Sequence, residues 1–275
     1  MQKTFEHNNA LISYSISGEG IPVVLLHGFG ADATIWDNQK KFLEGYCRLI
    51  VPHWPGSGLS TFIDGENAVT AEGDTPSTLE YYTDCIHALL QHENIISCII
   101  LGHSMGGYIT LNFAEKYPQF LKGFGLIHSS AFADTEEKKI HRKRSIVMME
   151  QYGVYSFLKN TTPVLFGDKF RKEQPGKIME LVEQGNIFTV TALQQYYIAM
   201  MNRPDRMHAL INSEVPVLFV IGKEDVAAPM SDVLQQIHLP KIAYIHILET
   251  TGHMGMWEAP DELNDFMLEF IKGII

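Results

Sequence analysis

The sequence predicts an α/β fold: a mostly parallel central sheet flanked by helices, with a helical insertion after its first half. Short apolar, β-branched runs alternate with segments of helical periodicity up to about residue 130, as in strands joined by covering helices. The alternation stops over residues 131–213 and then resumes. With 275 residues, 45% of them hydrophobic, the chain is large enough to bury the core of one such domain.

Seven apolar runs are strand candidates. They cover residues 10–17, 21–27, 47–53, 96–103, 122–129, 215–222 and 241–248. The stretch TFEHN near the N-terminus is a weaker candidate for a further strand. Short apolar runs bounded by turn-forming residues are typical of buried strands, so we expect residues 1–130 and 214–275 to form the core domain.

Three helices are predicted within that core. Ser77 and Glu80 form a capping box that opens the first helix. The second begins near Met105 and ends at Pro118, because proline cannot continue a helix. The third covers residues 261–272.

Residues 131–213 are predicted to form a helical cap, or lid, over one edge of the sheet. The segment is punctuated by Pro163, Pro175 and Pro204 and is rich in methionine and aromatic residues. These side chains suit plain helix packing, and they also suit an adaptable apolar pocket. Its basic stretch KKIHRKR, residues 138–144, would spread around a helix at about 100° per residue. We therefore expect a solvated helix face there, with a site for an anionic substrate group as the alternative.

Composition restricts the class of partner. The formal net charge of −11 disfavours nucleic acid and anionic membrane surfaces, because both need a basic face. No apolar run approaches the ~20 residues that span a bilayer. We expect a cytoplasmic protein, monomeric or homodimeric, that acts on a small molecule. The three cysteines, Cys47, Cys85 and Cys98, lack metal-ligand spacing, so we expect reduced structural thiols and neither a metal nor a cofactor.

The candidate nucleophile is Ser104, in the stretch ILGHSMGGYIT. A serine between glycines is a weak signal alone, but here it follows a strand and precedes a helix, as a nucleophile elbow requires. Gly102 and Gly106 would allow the backbone to pass closely in this strained turn. The neighbouring His103 is expected to point away from the site.

A serine hydroxyl needs a general base, and the base needs an acid that orients it. The candidate acid is Asp225 in GKEDVAAP, with Glu224 in reserve, and the candidate base is His253 in GHMGMWEAP. Asp225 and His253 follow late strands, so we expect them at the same edge of a parallel sheet as Ser104.

An oxyanion hole needs two converging N–H donors. The backbone of Met105 is one candidate, and Phe29, in the loop after the strand VVLLH, is the other. Gly28 and Gly30 would shape this loop. His27 is expected to brace the loop through ring hydrogen bonds rather than to take part in the chemistry.

Taken in order, the segments HGFG, PGSGLS, GHSMGG, GKEDVAAP and GHMGMWEAP resemble the α/β-hydrolase superfamily over essentially the full chain. The resemblance implies an α/β-hydrolase fold with Ser104 as nucleophile, Asp225 as acid and His253 as base, together with the two oxyanion donors. The chain departs from the family at His53, where an aspartate is common. That departure concerns local loop contacts more than the triad.

Serine at position 104 argues against epoxide hydrolases and dehalogenases of the superfamily, which carry aspartate there. The segment HGFGADA lacks the Gly-Pro-Gly that is usual in the carbon–carbon bond hydrolases, so ester, lactone or thioester hydrolysis remains. We expect a carboxylesterase-like enzyme that cleaves a small, moderately apolar ester. A lactonase resembling 3-oxoadipate enol-lactonase would need a cation for the substrate carboxylate, with the basic stretch, Arg203 and Arg206 as candidates. A non-enzymatic alternative is a small-molecule receptor or stress-signalling relative, to which HGFGADATIW is also similar.

Overall fold

In the computed structural model, which describes residues 1–62 and 77–274, nine strands form one sheet. All seven predicted strands are present within about two residues of their expected ends. The weaker N-terminal candidate is the first strand, and one short strand was not predicted. The strands are β1 (Gln2–His7), β2 (Ala10–Ser17), β3 (Pro22–Leu26), β4 (Arg48–Pro52), β5 (Thr61–Phe62), β6 (Cys98–His103), β7 (Leu121–Ile127), β8 (Val217–Gly222) and β9 (Ala243–Leu248).

The strand order is β1-β2-β4-β3-β6-β7-β8-β9, with β5 paired to β2. The pairs of β2 with β1, β4 and β5 are antiparallel. Every pair from β4 to β9 is parallel, which confirms the mostly parallel sheet. The carboxyl ends of β3, β6, β7, β8 and β9 therefore meet at one edge, where ligand sites of such sheets lie.

Helices cover both faces of the sheet and fill the chain between β7 and β8. They are α1 (Asp37–Leu43), α2 (Leu79–His92), α3 (Met105–Lys116), α4 (Glu136–Thr161), α5 (Asp168–Glu173), α6 (Pro175–Gln184), α7 (Val190–Asn202), α8 (Met207–Ile211), α9 (Met230–Val233), α10 (Gly255–Glu258) and α11 (Pro260–Ile274). The predicted helices after Ser104 and at the C-terminus match α3 and α11.

The predicted start of α2 was one residue early. Thr78, not Ser77, is the N-cap: its backbone is extended and its hydroxyl accepts a hydrogen bond from the Tyr81 N–H. Both residue types cap helices, and serine is the stronger cap, so residue type alone did not identify Thr78. Leu79, the first residue of α2, is buried, as is Tyr82.

Alternate residues of the central strands pack into two separate apolar layers. In β3, Val24 and Leu26 join the cluster that contains the apolar faces of α2 and α3. Val23 and Leu25 join the cluster that contains those of α1 and α11. This two-residue period is that of a strand buried on both faces.

Residues 131–213 are all described and contain α4 to α8 without a strand. The longest helix, α4, is kinked at Gly153, whose φ of 78° lies in the left-handed region that glycine adopts most easily. Side chains of this helical segment reach both layers: Phe157 packs in one cluster and Phe166 in the other. The three cysteines are buried and not cross-linked, as expected. Of the helices in the described ranges, none has the length and apolar character needed to cross a membrane.

Candidate active site

Ser104 lies at the junction of β6 and α3 in a strained backbone conformation. Its φ of 52° and ψ of −116° are unusual for a residue with a side chain. The Ser104 N–H donates to the Ile127 carbonyl at 3.0 Å, and the Ser129 hydroxyl donates to the Ser104 carbonyl at 2.7 Å. These two bonds tie the turn to the end of β7 and hold it in the strained form.

Close backbone packing explains the glycines around Ser104. A Cβ atom on Gly102 would lie 2.3 Å from the Gly106 carbonyl oxygen, and one on Gly106 would lie 2.5 Å from the Leu26 carbonyl oxygen. Both neighbours are backbone atoms, one in α3 and one in β3, so neither can move without shifting a helix or a strand. A Cβ on Gly28 would lie 3.0 Å from Cβ of Ser104, so the loop after β3 passes directly beside the serine.

His253 and Asp225 form a direct contact at the same edge of the sheet. His253 Nδ1 lies 2.7 Å from Asp225 Oδ2, and both side chains are buried. Asp225 Oδ1 accepts hydrogen bonds from the N–H groups of Ala227 and Ala228 at 2.8 and 2.9 Å. Burial alone would raise the pKa of Asp225, but the neighbouring His253 and His128 outweigh it and lower that pKa well below its usual range. The carboxyl group is therefore ionised and able to orient His253.

The reserve acid occupies a different place. Glu224 is exposed, and its Oε2 accepts a hydrogen bond from the Asp168 N–H at 2.7 Å, at the start of α5. It therefore supports the helical segment, whereas Asp225 is the carboxylate in contact with His253.

Ser104 and His253 line one cavity of about 190 Å³ between the sheet edge and the helical segment. Apolar and aromatic side chains from the helical segment form much of its wall. In residues 1–62 and 77–274, no cluster of His, Cys, Asp and Glu side chains is arranged to hold a metal ion. The lining residues are Phe29, Gly30, Ala31, His103, Ser104, Tyr108, Arg142, Leu158, Thr161, Thr162, Leu165, Leu181, Tyr197, Met200, Ala227, His253 and Met254.

The two candidate oxyanion donors come from the start of α3 and from the loop after β3. Met105 is the first residue of α3, where backbone N–H groups have no partner within the helix. Phe29 lies in the loop after β3 and lines the cavity, with its ring stacked on that of Tyr197 at 4.1 Å. Within the described part of the chain, neither N–H group donates to a protein acceptor. Both are free to bind a substrate oxygen.

His27 braces the loops around the site, in agreement with the structural role expected for it. Its Nε2 accepts a hydrogen bond from the Trp54 N–H at 3.2 Å, so Nδ1 carries the proton that it donates to the Gly28 carbonyl at 2.9 Å. Burial lowers the pKa of His27 well below its usual range, which keeps the ring neutral. At His53, where the chain departs from the family's pattern, Nδ1 lies 3.4 Å from the Ala33 backbone nitrogen.

Two buried histidines beside His253 were not identified from the sequence as part of this site. His103 was expected to point away, but its ring lies 4.8 Å from that of His253 and its Nε2 is 2.9 Å from the His253 carbonyl oxygen. His103 is the last residue of β6, and its side chain packs against the loop after β9, which contains His253. His128 follows β7, and its Nδ1 lies 3.4 Å from Asp225 Oδ2. It lies near the end of the predicted strand 122–129, and that position at the same sheet edge was the signal available in the sequence.

The basic residues that were candidates for binding an anionic substrate group lie in different surroundings. Arg142 lines the cavity, whereas Lys139 pairs with Glu136 on the exposed side of α4. Arg206 pairs with Glu80 at 2.8 Å, outside the cavity lining. The stretch 138–144 is thus mostly a solvated face, as expected, from which one side chain turns inward.

Two curated relatives resemble the chain over most of its length. The chain is 25% identical to (E)-2-((N-methylformamido)methylene)succinate hydrolase of Acinetobacter baylyi, over 96% of this chain and 95% of the relative. It is 26% identical to Lipase 1 of Psychrobacter immobilis, over 91% of this chain and 76% of the relative. Both names denote hydrolases, in agreement with the prediction of a hydrolase.

Solved structures and a family model identify the fold to which the chain is similar. A thermophilic esterase from Thermogutta terrifontis, with malate bound, superposes with a TM-score of 0.89 at 23% identity, covering 100% of this chain and 99% of that one. The enol-lactonase from Burkholderia xenovorans LB400 gives 0.87 at 19% identity, covering 98% and 100%. The model of the alpha/beta hydrolase fold matches residues 21–260. The fold and family predicted from the motifs are confirmed: the chain belongs to the α/β-hydrolase family.

Proposed function

We propose that the protein is a serine hydrolase that cleaves small carboxylic esters through an acyl-enzyme on Ser104. His253 is the general base, Asp225 orients it, and the N–H groups of Phe29 and Met105 form the oxyanion hole. The observation that supports this proposal most strongly is the 2.7 Å contact between His253 Nδ1 and Asp225 Oδ2 beside a cavity that Ser104 also lines.

The proposed reaction has two halves. Ser104 Oγ attacks the carbonyl carbon while its proton passes to Nε2 of His253, and the charge of Asp225 stabilises the resulting imidazolium. The tetrahedral oxyanion accepts hydrogen bonds from the two backbone N–H groups. When it collapses, the C–O bond to the alcohol breaks and His253 protonates the leaving oxygen. Water then attacks the acyl carbon while His253 accepts its proton. The acyl bond to Ser104 Oγ breaks, His253 returns the proton to Oγ, and the carboxylic acid is released.

The dimensions of the cavity favour a small substrate. At about 190 Å³ it is smaller than the ~300–1,000 Å³ of pockets for drug-sized ligands. Leu158, Leu165, Leu181 and Met200 give it apolar walls, which suit a short acyl or alcohol group. We propose that residues 131–213 act as the cap that supplies these walls, with residues 1–130 and 214–275 as the catalytic core.

The experiment is covalent labelling with a fluorophosphonate, followed by hydrolysis of p-nitrophenyl esters of increasing acyl length and of matched lactones and thioesters. Wild type is compared with Ser104→Ala and with Ser97→Ala, a control serine just before β6. We expect labelling and hydrolysis in wild type and Ser97→Ala. In Ser104→Ala the label should be absent, and kcat should fall by a factor on the order of 10⁶.

Labelling that survives in Ser104→Ala would refute the proposal. Faster turnover of lactones or thioesters than of esters would be consistent with Ser104 as the nucleophile but would assign the enzyme to a different substrate class. A single slow turnover, without accumulation of product, would favour the receptor-like alternative over an enzyme.

A further inference from the structure

Arg142 is a cation in the wall of the proposed catalytic cavity. It belongs to α4, and its side chain is 20% exposed. Of the described residues that line the cavity with Ser104 and His253, it is the one lysine or arginine. A charged side chain among apolar walls needs a partner, because desolvating an unpaired charge is costly.

Arg142 has a partner, but it shares that partner with a second arginine. Its Nε and Nη2 lie 2.6 and 3.4 Å from the two oxygens of Asp134. Asp134 Oδ1 is also 2.8 Å from Nη1 of Arg203. The side chain of Asp134 is fully buried and that of Arg203 is 5% exposed. Two guanidinium groups and one carboxylate leave this cluster with one excess positive charge.

The two arginines differ in their remaining contacts. Arg203 is enclosed: it lies 3.8 Å from the centre of the Tyr108 ring and donates to the carbonyls of Met200 and Phe132. Arg142 packs against the ring of Tyr197 at 5.1 Å. Within the part of the chain that the structure describes, its Nη1 donates to no protein acceptor. Arg142 is therefore the member of the cluster with donors available to a molecule in the cavity.

The excess positive charge and the available N–H donors both favour binding of an anion. A guanidinium has five N–H donors, and its planar edge matches a carboxylate. We propose that Arg142 binds a carboxylate on the substrate, so that this hydrolase acts on short esters carrying a carboxylate on the acyl or the alcohol group. The inference rests on the proposed function, since it assigns the substrate class of the same cavity.

The competing role for Arg142 is to fasten α4 to the loop that contains Asp134. A fastening role affects stability and would change the hydrolysis of charged and neutral esters alike. A binding role changes the preference between them. The ratio of kcat/KM values for two esters that differ in charge alone therefore separates the two roles.

The experiment uses two such pairs. On the acyl side, p-nitrophenyl hydrogen glutarate is compared with the p-nitrophenyl ester of glutaramic acid, and on the alcohol side, 3-carboxyphenyl butyrate with 3-carbamoylphenyl butyrate. Wild type, Arg142→Gln and the control Arg144→Gln are measured. Arg144 is exposed on the same helix.

In wild type we expect kcat/KM to favour the carboxylate by tenfold or more in at least one pair, as a charge-assisted hydrogen bond provides. Arg142→Gln should reduce that ratio to about one while it still hydrolyses the neutral ester, and Arg144→Gln should retain it. No preference in wild type, or an unchanged preference in Arg142→Gln, would overturn the inference.

Binding of glutarate, measured by calorimetry with glutaramide as the neutral comparison, tests the same point without turnover. Wild type and Ser104→Ala should bind glutarate at least tenfold more tightly than glutaramide, and Arg142→Lys, which keeps the charge with fewer donors, should bind it more weakly. Equal affinity for the two compounds in wild type overturns the inference even if Arg142→Gln does not fold. Hydrolysis that persists in Ser104→Ala would instead refute the proposed function, and the binding result would stand.

Discussion

The sheet edge and the helical segment contribute to the same cavity in different ways. At the edge, the positions of Ser104, Asp225 and His253 are set by the ends of parallel strands and by backbone contacts that leave no space for change. In the helical segment, Arg142 and Leu158 reach the cavity as side chains on packed helices. Under the proposed function, the reaction depends on a rigid backbone, whereas the choice of substrate depends on side chains that can be exchanged.

The largest expected effect concerns the acid at the sheet edge. Asp225→Asn removes the charge that orients His253, and an amide cannot stabilise the imidazolium or fix the required tautomer. We expect kcat on p-nitrophenyl butyrate to fall by a factor on the order of 10⁴, with KM little changed.

The matched control is Glu224→Gln, one residue earlier and exposed. Its carboxylate contacts α5 rather than His253, so kcat should stay within about twofold of wild type. A larger loss of kcat in Glu224→Gln than in Asp225→Asn would show that Glu224 is the acid and would contradict the assignment of Asp225.

Two glycine replacements compare the rigidity of the two regions. At Gly106 an added Cβ meets the backbone of β3 at 2.5 Å, so Gly106→Ala should lower the free energy of unfolding by about 3 kcal/mol. At Gly176, in α6, the same atom meets nothing within 4 Å. There alanine is the better helix former and should raise the free energy of unfolding by about 0.5–1 kcal/mol. Urea denaturation measures both, and a loss at Gly176 as large as at Gly106 would contradict the comparison.

The same contrast explains what the sequence could predict. The central strands and the contact between Asp225 and His253 could be predicted from the sequence. Strand periodicity can be read locally, and in a parallel sheet the carboxyl ends of the strands all meet at one edge. The kink at Gly153 and the inward turn of Arg142 were not, because the direction of a helical side chain depends on what packs against it. His128 was missed although it lies near the end of a predicted strand, because that position does not show which residue of the neighbouring strand end it will contact.

The last predicted effect is a pH dependence of the free energy of unfolding that arises at the buried His27. Burial holds the pKa of His27 well below its unfolded value of about 6.5. Below pH 6.5 the unfolded chain therefore binds a proton that the folded protein does not, and acidification lowers the free energy of unfolding. His27 should contribute a loss of roughly 1 kcal/mol at pH 5.5.

In urea denaturation between pH 7.5 and 5.5, the free energy of unfolding of His27→Gln should change less with pH than that of wild type, although the variant is less stable at pH 7.5. An unchanged slope in His27→Gln would mean that the folded protein accommodates a charged His27, and the loops around Ser104 would then be less rigid than the geometry indicates.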